Sequence, residues 1–239
     1  MSTPSLAAQL EALGVGRGSV AMLHVGMRSV GGRAEALLDA LLAVVGPEGT
    51  LVMVLGADPD EPFDRLRTPV DVEDMGVFAE VFRRRCGEHV SDHAAARAGA
   101  LGPAAEHLLR SPPLHDYYGP GSLLQRFTAL PEAGVLRLGA SPDTVTLTHH
   151  AEYLARLPHK RSTVYDVVRA DIGAQSIRCL DDTHGIADWA GGDYFPQITA
   201  DFVAAGHARV GPVGGCRAEW LAADAFVDFA VAWLERELA

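Results

Sequence analysis

Cysteine is scarce. Cys86, Cys179 and Cys216 lie far apart in 239 residues and are odd in number, which excludes a disulfide framework and a CxxC metal site. Each is expected to pack in the core. No run of 18 apolar residues exists, so no segment reads as a span across a bilayer. The start, MSTPSLAAQLEALGVGRGSV, lacks a basic region followed by an apolar one. With no secretory signal, the chain is expected in the cytoplasm. Positive charge is also short: 20 Lys and Arg against 31 Asp and Glu leave a net charge of −11. A surface of that sign repels phosphate backbones and attracts cations, which argues against nucleic acid as a partner and for a polycationic ligand. HExxH, GxSxG, GxGxxG and a Walker lysine are all missing, and with them the usual signs of a zinc protease, a serine hydrolase and a nucleotide fold.

What is present is core material. Hydrophobic residues make up 48% of the chain, and a chain this long buries about 70–75% of its unfolded surface. The spacing predicts a helix over 3–13, with Thr3 or Ser5 as cap and Pro4 just inside. Buried strands follow at 19–25 and 50–56, joined by a helix on which Ala34, Leu37, Leu38, Leu41, Leu42 and Val45 recur at helical spacing. Strand, helix, strand is a βαβ unit, so the two strands are expected to be parallel neighbours in an α/β fold. A polar loop, 57–76, leaves the second strand at the end where open α/β sheets bind ligands. Helices are expected over 77–86, 103–110 and 122–128, a strand over 135–139, and a helix from Thr146 or Thr148 to Leu157. After Pro158 the chain changes character: strands at 162–168 and 176–180, an acidic Gly-rich loop at 181–195, and a closing helix that carries Phe226, Phe229, Ala230, Trp233 and Leu234 on one face. Residues 1–239 read as one domain, with room for a break between two lobes near 158–162.

The sharpest local pattern is LRLGASPDTVTLTHHAEYLARLPHKR, 136–161. Residues three apart on a helix share a face, so His149 and Glu152 can meet. A carboxylate beside an imidazole selects one tautomer and makes the ring a better base. The same pattern also fits a plain capped helix with Leu147, His150, Ala151 and Leu154 turned to the core. A metal site is disfavoured, because adjacent His149 and His150 point about 100° apart on a helix. Carboxylates crowd two loops: Asp58, Asp60, Glu61 and Asp64 in one, Asp181, Asp182, Asp188 and Asp193 in the other.

Taken together, several segments resemble the aminoglycoside 3-N-acetyltransferase family over nearly the whole chain. LHVGMRSVGGRAEALLDALLAVVGPEGTLVM (23–53) resembles its opening strand, turn and helix. VEDMGVFAEVFRRRCGEHVSDHAAARAGALG (72–102) and HDYYGPGSLLQRF (115–127) resemble two further motifs, and GASPDTVTLTHHAEYLARLPHKR its Thr-Val-Thr-x-Leu-His-x-x-Glu core. Residues 207–235 resemble its closing segment. The resemblance implies a central mixed β-sheet surrounded by helices, distinct from the GNAT acetyltransferases. It also implies acetyl-CoA as donor and the 3-amino group of a deoxystreptamine ring as acceptor; from the histidine spacing above, no metal is expected. It places His149 as catalytic base with Glu152 as its partner, and Thr146 close to the thioester. Coenzyme A would meet Arg28, Ser29, Val30 and Gly31, with Ser91 and His93 on a second contact segment. Asp182 falls on an acidic position near the transferable amine, and Asp58, Asp60, Tyr117 and Asp181 are grouped with it as acceptor contacts. Arg97 stands where the family carries a serine, and Thr148 where leucine precedes the histidine. The alternative is an acetyltransferase of the same fold acting on a smaller amine. Monomer and homodimer both stay open.

Overall fold

Val20–Val25 is apolar at every position but His24, as a strand covered on both faces should be. In the computed structural model, which describes residues 4–239, it is β1, near the middle of a six-stranded sheet. The strands are β1, β2 (Thr50–Val54), β3 (Ala98–Leu101), β4 (Ala133–Leu138), β5 (Ser162–Arg169), β6 (Gly173–Leu180), β7 (Arg209–Val213) and β8 (Cys216–Ala222). The sheet runs β3-β2-β1-β4-β8-β7, and β5 and β6 form a separate hairpin. β1 is parallel to β2, as the βαβ pattern predicts, and to β4. The other pairs are antiparallel, so the sheet is mixed.

Helices α1 (Leu6–Leu13), α2 (Met27–Val30), α3 (Ala34–Val45), α4 (Val72–Met75) and α5 (Val77–Cys86) precede β3 in the chain. Helices α6 (Ala105–Leu109), α7 (Leu123–Thr128), α8 (Leu147–Leu154), α9 (Tyr194–Ala204) and α10 (Ala223–Glu237) follow it. Side chains alternate across the strands, so each strand feeds two cores. Leu23 and Leu136 pack with Leu41 of α3 and Phe78 of α5 on one face. Met22 and Val135 pack with Leu147 of α8, Phe202 of α9 and Phe226 of α10 on the other. A fully buried leucine such as Leu41 contributes about 1.5–3 kcal/mol relative to an exposed one.

The first helix is shorter than its pattern: it begins at Leu6, where the Ser5 hydroxyl accepts from Ala8 N at 3.2 Å. Thr3, the other candidate cap, lies outside the described residues. The helix expected to reach Leu157 stops at Leu154, which is 43% exposed rather than in the core. Near 158–162 the chain leaves the central sheet for the β5–β6 hairpin. Phe63 ties that hairpin back, donating its N–H to Val168 O at 2.7 Å and accepting from Ala170 N at 2.9 Å. All three cysteines are buried and free. Among the described residues no helix is long and apolar enough to cross a membrane, and no three His, Cys, Asp or Glu side chains cluster as metal ligands.

Candidate active site

The parallel strands β1 and β4 lead into separate connections at their carboxyl ends, the place where open α/β sheets leave a crevice for ligands. β1 runs into the turn Gly26–Gly31, and β4 into the loop 139–146. The two segments touch: Gly26 N donates to Leu138 O at 2.8 Å. A Cβ on Gly26 would lie 2.3 Å from Gly139 O, so only glycine permits that approach. On the far side of the turn, Val30 O accepts from Gly215 N at 2.8 Å. Arg28, Ser29 and Gly31 are left exposed, and Val30 is buried.

The loop after β4 delivers α8, and one turn of that helix brings His149 Nδ1 to 3.0 Å from Glu152 Oε2. Glu152 is 1% exposed and His149 17% by side chain. The Tyr194 hydroxyl contacts Glu152 Oε1 and also accepts from Ile186 N at 2.8 Å. Hydroxyl and N–H arithmetic then sets the protons. Ile186 occupies the acceptor side of the hydroxyl, so Tyr194 donates its single proton to Glu152. Burial, followed by the Glu152 charge, pushes the Tyr194 phenol up, which keeps it a donor. An ionised Glu152 accepts Nδ1–H from His149, and that tautomer leaves Nε2 with a free lone pair. The imidazole sits between two rings, stacked on Tyr118 with centroids 4.9 Å apart and tilted against Phe195 at 4.7 Å.

His150 points elsewhere, as the helical angle requires. Its Nδ1 lies 2.8 Å from Tyr118 O, and burial lowers its pKa, so a neutral ring holds the Tyr118 backbone in place. The Thr146 hydroxyl turns back to Thr144 O at 3.5 Å. Thr148 is fully buried, and its Oγ1 meets no partner among the described residues. A buried hydroxyl without a partner is a cost that an isosteric methyl removes. Thr148→Val is therefore expected to raise unfolding stability by about 1 kcal/mol, read from urea denaturation. A drop would mean that the hydroxyl is paired.

The acidic residues divide in two. The Tyr117 hydroxyl donates to Asp182 Oδ2 and accepts from Tyr165 at 2.8 Å. Tyr117 is 2% exposed, and its hydroxyl is engaged by Asp182 and Tyr165 inside the protein. The ring beside His149 is that of its neighbour, Tyr118. Asp181 is likewise turned inward: its Oδ1 accepts from Thr183 N and His184 N at 3.1 and 2.8 Å. Desolvation raises its pKa, but those two donors outweigh it and hold the carboxyl below its ordinary value. Asp58 and Asp60 lie on the loop after β2, where Asp60 N donates to Asp58 Oδ1 at 3.0 Å and Asp60 is exposed.

The side chains of Ser91 and His93 are both hydrogen-bonded within the protein. Ser91 Oγ accepts from Ala98 N at 2.9 Å. His93 Nδ1 accepts from Ala95 N and Ala96 N at 3.2 and 3.0 Å, which leaves Nε2–H to donate to Leu114 O at 3.1 Å. The Ser91 hydroxyl and both ring nitrogens of His93 are engaged by backbone groups, and Ser91 N itself donates to Ala98 O at 2.8 Å. The His93 ring packs on Tyr117, with centroids 4.8 Å apart.

Residues 22–235 match the family model described as Aminoglycoside 3-N-acetyltransferase, an acyltransferase class. Aminoglycoside N(3)-acetyltransferase VII of Streptomyces paromomycinus is 35% identical, over 98% of this chain and 91% of its own. The structure of AAC-IIIb in its binary complex with CoASH superposes with a TM-score of 0.90 at 32% identity, over 98% of this chain and 97% of that one. AAC-VIa bound to sisomicin superposes at 0.89 and 30% identity over 100% of both chains. The chain belongs to the aminoglycoside 3-N-acetyltransferase family.

Proposed function

We propose that this chain transfers the acetyl group of acetyl-CoA to the 3-amino group of a deoxystreptamine aminoglycoside, with His149 as general base. The observation that carries this reading is the His149–Glu152 pair with Nε2 free, set between two aromatic rings. An alkylammonium whose pKa lies above about 7 is mostly protonated at neutral pH and has no lone pair. His149 Nε2 takes the proton as the amine nitrogen attacks the thioester carbonyl. The C–S bond then breaks, and coenzyme A leaves as thiol with the amide formed. We assign the positive N-terminal end of α8, where Thr146 is the cap residue, to the developing oxyanion. Arg28, Ser29, Gly31 and the backbone of 91–93 are the groups we assign to coenzyme A. Asp182, Asp58 and Asp60 are assigned to the remaining ammonium groups of the acceptor. Each such pair is worth from about 1 kcal/mol in open water to about 4 at an effective dielectric of 20.

The test is release of coenzyme A thiol from acetyl-CoA with a panel of deoxystreptamine aminoglycosides at low and high salt. Turnover is expected, with an acceptor KM that rises steeply as salt screens the carboxylates. A KM flat in salt would remove the acidic residues from recognition. No thiol release with any panel member, from protein that binds acetyl-CoA, would overturn the acceptor assignment in favour of a smaller amine.

A further inference from the structure

Tyr194 takes part in two segments at once. It opens α9, with Asp193 capping the helix through Phe195 N at 2.9 Å. Its ring packs 6.4 Å from Trp233 and 5.4 Å from Phe195, and its hydroxyl joins Glu152 on α8 to Ile186 in the acidic loop. The hydroxyl reaches both because residue 185 has no side chain: a Cβ on Gly185 would lie 2.5 Å from it, and Gly185 has φ of +76°. That loop is held at a second point by Arg161, whose guanidinium donates to His184 O and Gly185 O at 3.2 Å each and to Asp188 at 2.5 Å. The loop carrying Asp182 and the carboxylate behind His149 thus share one hydroxyl.

We propose that Tyr194 is a positioning residue which, seated over Gly185, fixes Glu152 behind His149 and couples the order of the 181–193 loop to the strength of the base. The kinetic part rests on the reading of His149 as the base. When the tyrosine proton is withdrawn, the Glu152 charge is left to His149 alone. The imidazolium is then favoured, and the ring titrates at higher pH. The other groups facing the pair are few. Lys160, after α8, acts on Glu152 from one side, and Asp193 acts on Tyr194 at the start of α9. Asp182 acts on Tyr118, the ring stacked on His149. None of these is changed by removal of the hydroxyl.

The experiment compares Tyr194→Phe and Gly185→Ala with wild type in the full chain. Tyr194→Phe keeps the ring packing, and Gly185→Ala displaces the hydroxyl from the opposite side. Three readings are taken: the His149 ring titration by NMR, hydrogen exchange at the Ile186 amide, and kcat with its pH profile. In Tyr194→Phe the ring titration and the acid limb of the profile are expected to move up together. Exchange at Ile186 should accelerate, and kcat should fall about 10-fold. Against a Glu152→Gln background the same substitution should change kcat little. An unmoved titration with additive losses would overturn the proposal and leave Tyr194 a packing residue. Should Gly185→Ala not fold, Tyr194→Phe decides alone. Because the NMR and exchange arms need no acceptor, failure of this coupling is distinguishable from failure of the aminoglycoside assignment.

Discussion

His149→Ala is expected to lower kcat by about 10²–10⁴-fold, the usual worth of a positioned general base. Acetyl-CoA should still bind, because its assigned contacts lie on the Gly26–Gly31 turn and the 91–93 segment. Truncation leaves a slot between Tyr118 and Phe195, whose rings stand 4.9 and 4.7 Å from the imidazole centroid. Free imidazole in the medium is therefore expected to restore part of the rate. Glu152→Gln tests the same chemistry by tautomer. A carboxamide can present an N–H to Nδ1 where the carboxylate only accepted, which favours the ring with its proton on Nε2 and removes the base. Its loss should approach that of His149→Ala without rescue by imidazole. Full activity in His149→Ala would place the base elsewhere.

The His149–Glu152 contact was legible in the sequence because it is local: i and i+3 on a helix need no knowledge of the rest of the fold. The parallel β1–β2 pair was legible for the same reason, from two apolar runs and the helix between them. What was missed depends on distant partners or weak patterns. β3 is Ala-Gly-Ala-Leu at an edge of the sheet, too short and too small to show a period. β7 carries Gly211 and Pro212 at the other edge, where a missing donor is tolerated but a strand pattern is erased. Tyr194 and Phe195 read as the end of a Gly-rich loop; as the first residues of α9 they diverge, one to Glu152 and the other to His149. In the pair Tyr117–Tyr118 nothing local says which ring faces His149. The resemblance brought Ser91 and His93 forward as contacts and the crowded acidic loop brought Asp181; none of those patterns shows that Ser91 meets Ala98 N, that His93 meets Leu114 O, or that Asp181 turns back on its own loop.

Arg97→Ala is expected to lose about 3–5 kcal/mol of unfolding stability, the range for a fully buried charged group that satisfies several partners. Arg97 has no exposed surface, and carbonyls rather than a carboxylate take its protons. Nε donates to Gly56 O at 2.7 Å, Nη1 to Thr68 O at 2.6 Å and Nη2 to Pro69 O at 2.9 Å. Those carbonyls lie at the two ends of the loop after β2, so one guanidinium closes its base. The same side chain lies 5.7 Å from the centre of Phe63, whose other neighbour is Arg169 at 5.4 Å. Burial pushes Arg97 down to about 10, so it remains a cation at neutral pH and its donors stay in use. Its removal leaves Gly56 O and Thr68 O without a donor, Pro69 O with Asp58 N alone at 3.0 Å, and a void beneath Phe63. Arg97→Lys keeps the charge, but a single ammonium cannot match a planar fork spread over both ends of the loop; about half the loss should remain. Because this loop carries Asp58 and Asp60, acceptor KM should rise in Arg97→Lys more than kcat falls, with cleavage by added protease concentrated at 57–62. Equal stability of Arg97→Ala and wild type in urea would show that the loop closes without the guanidinium. A lysine variant that loses kcat at constant KM would place the loop in catalysis rather than recognition.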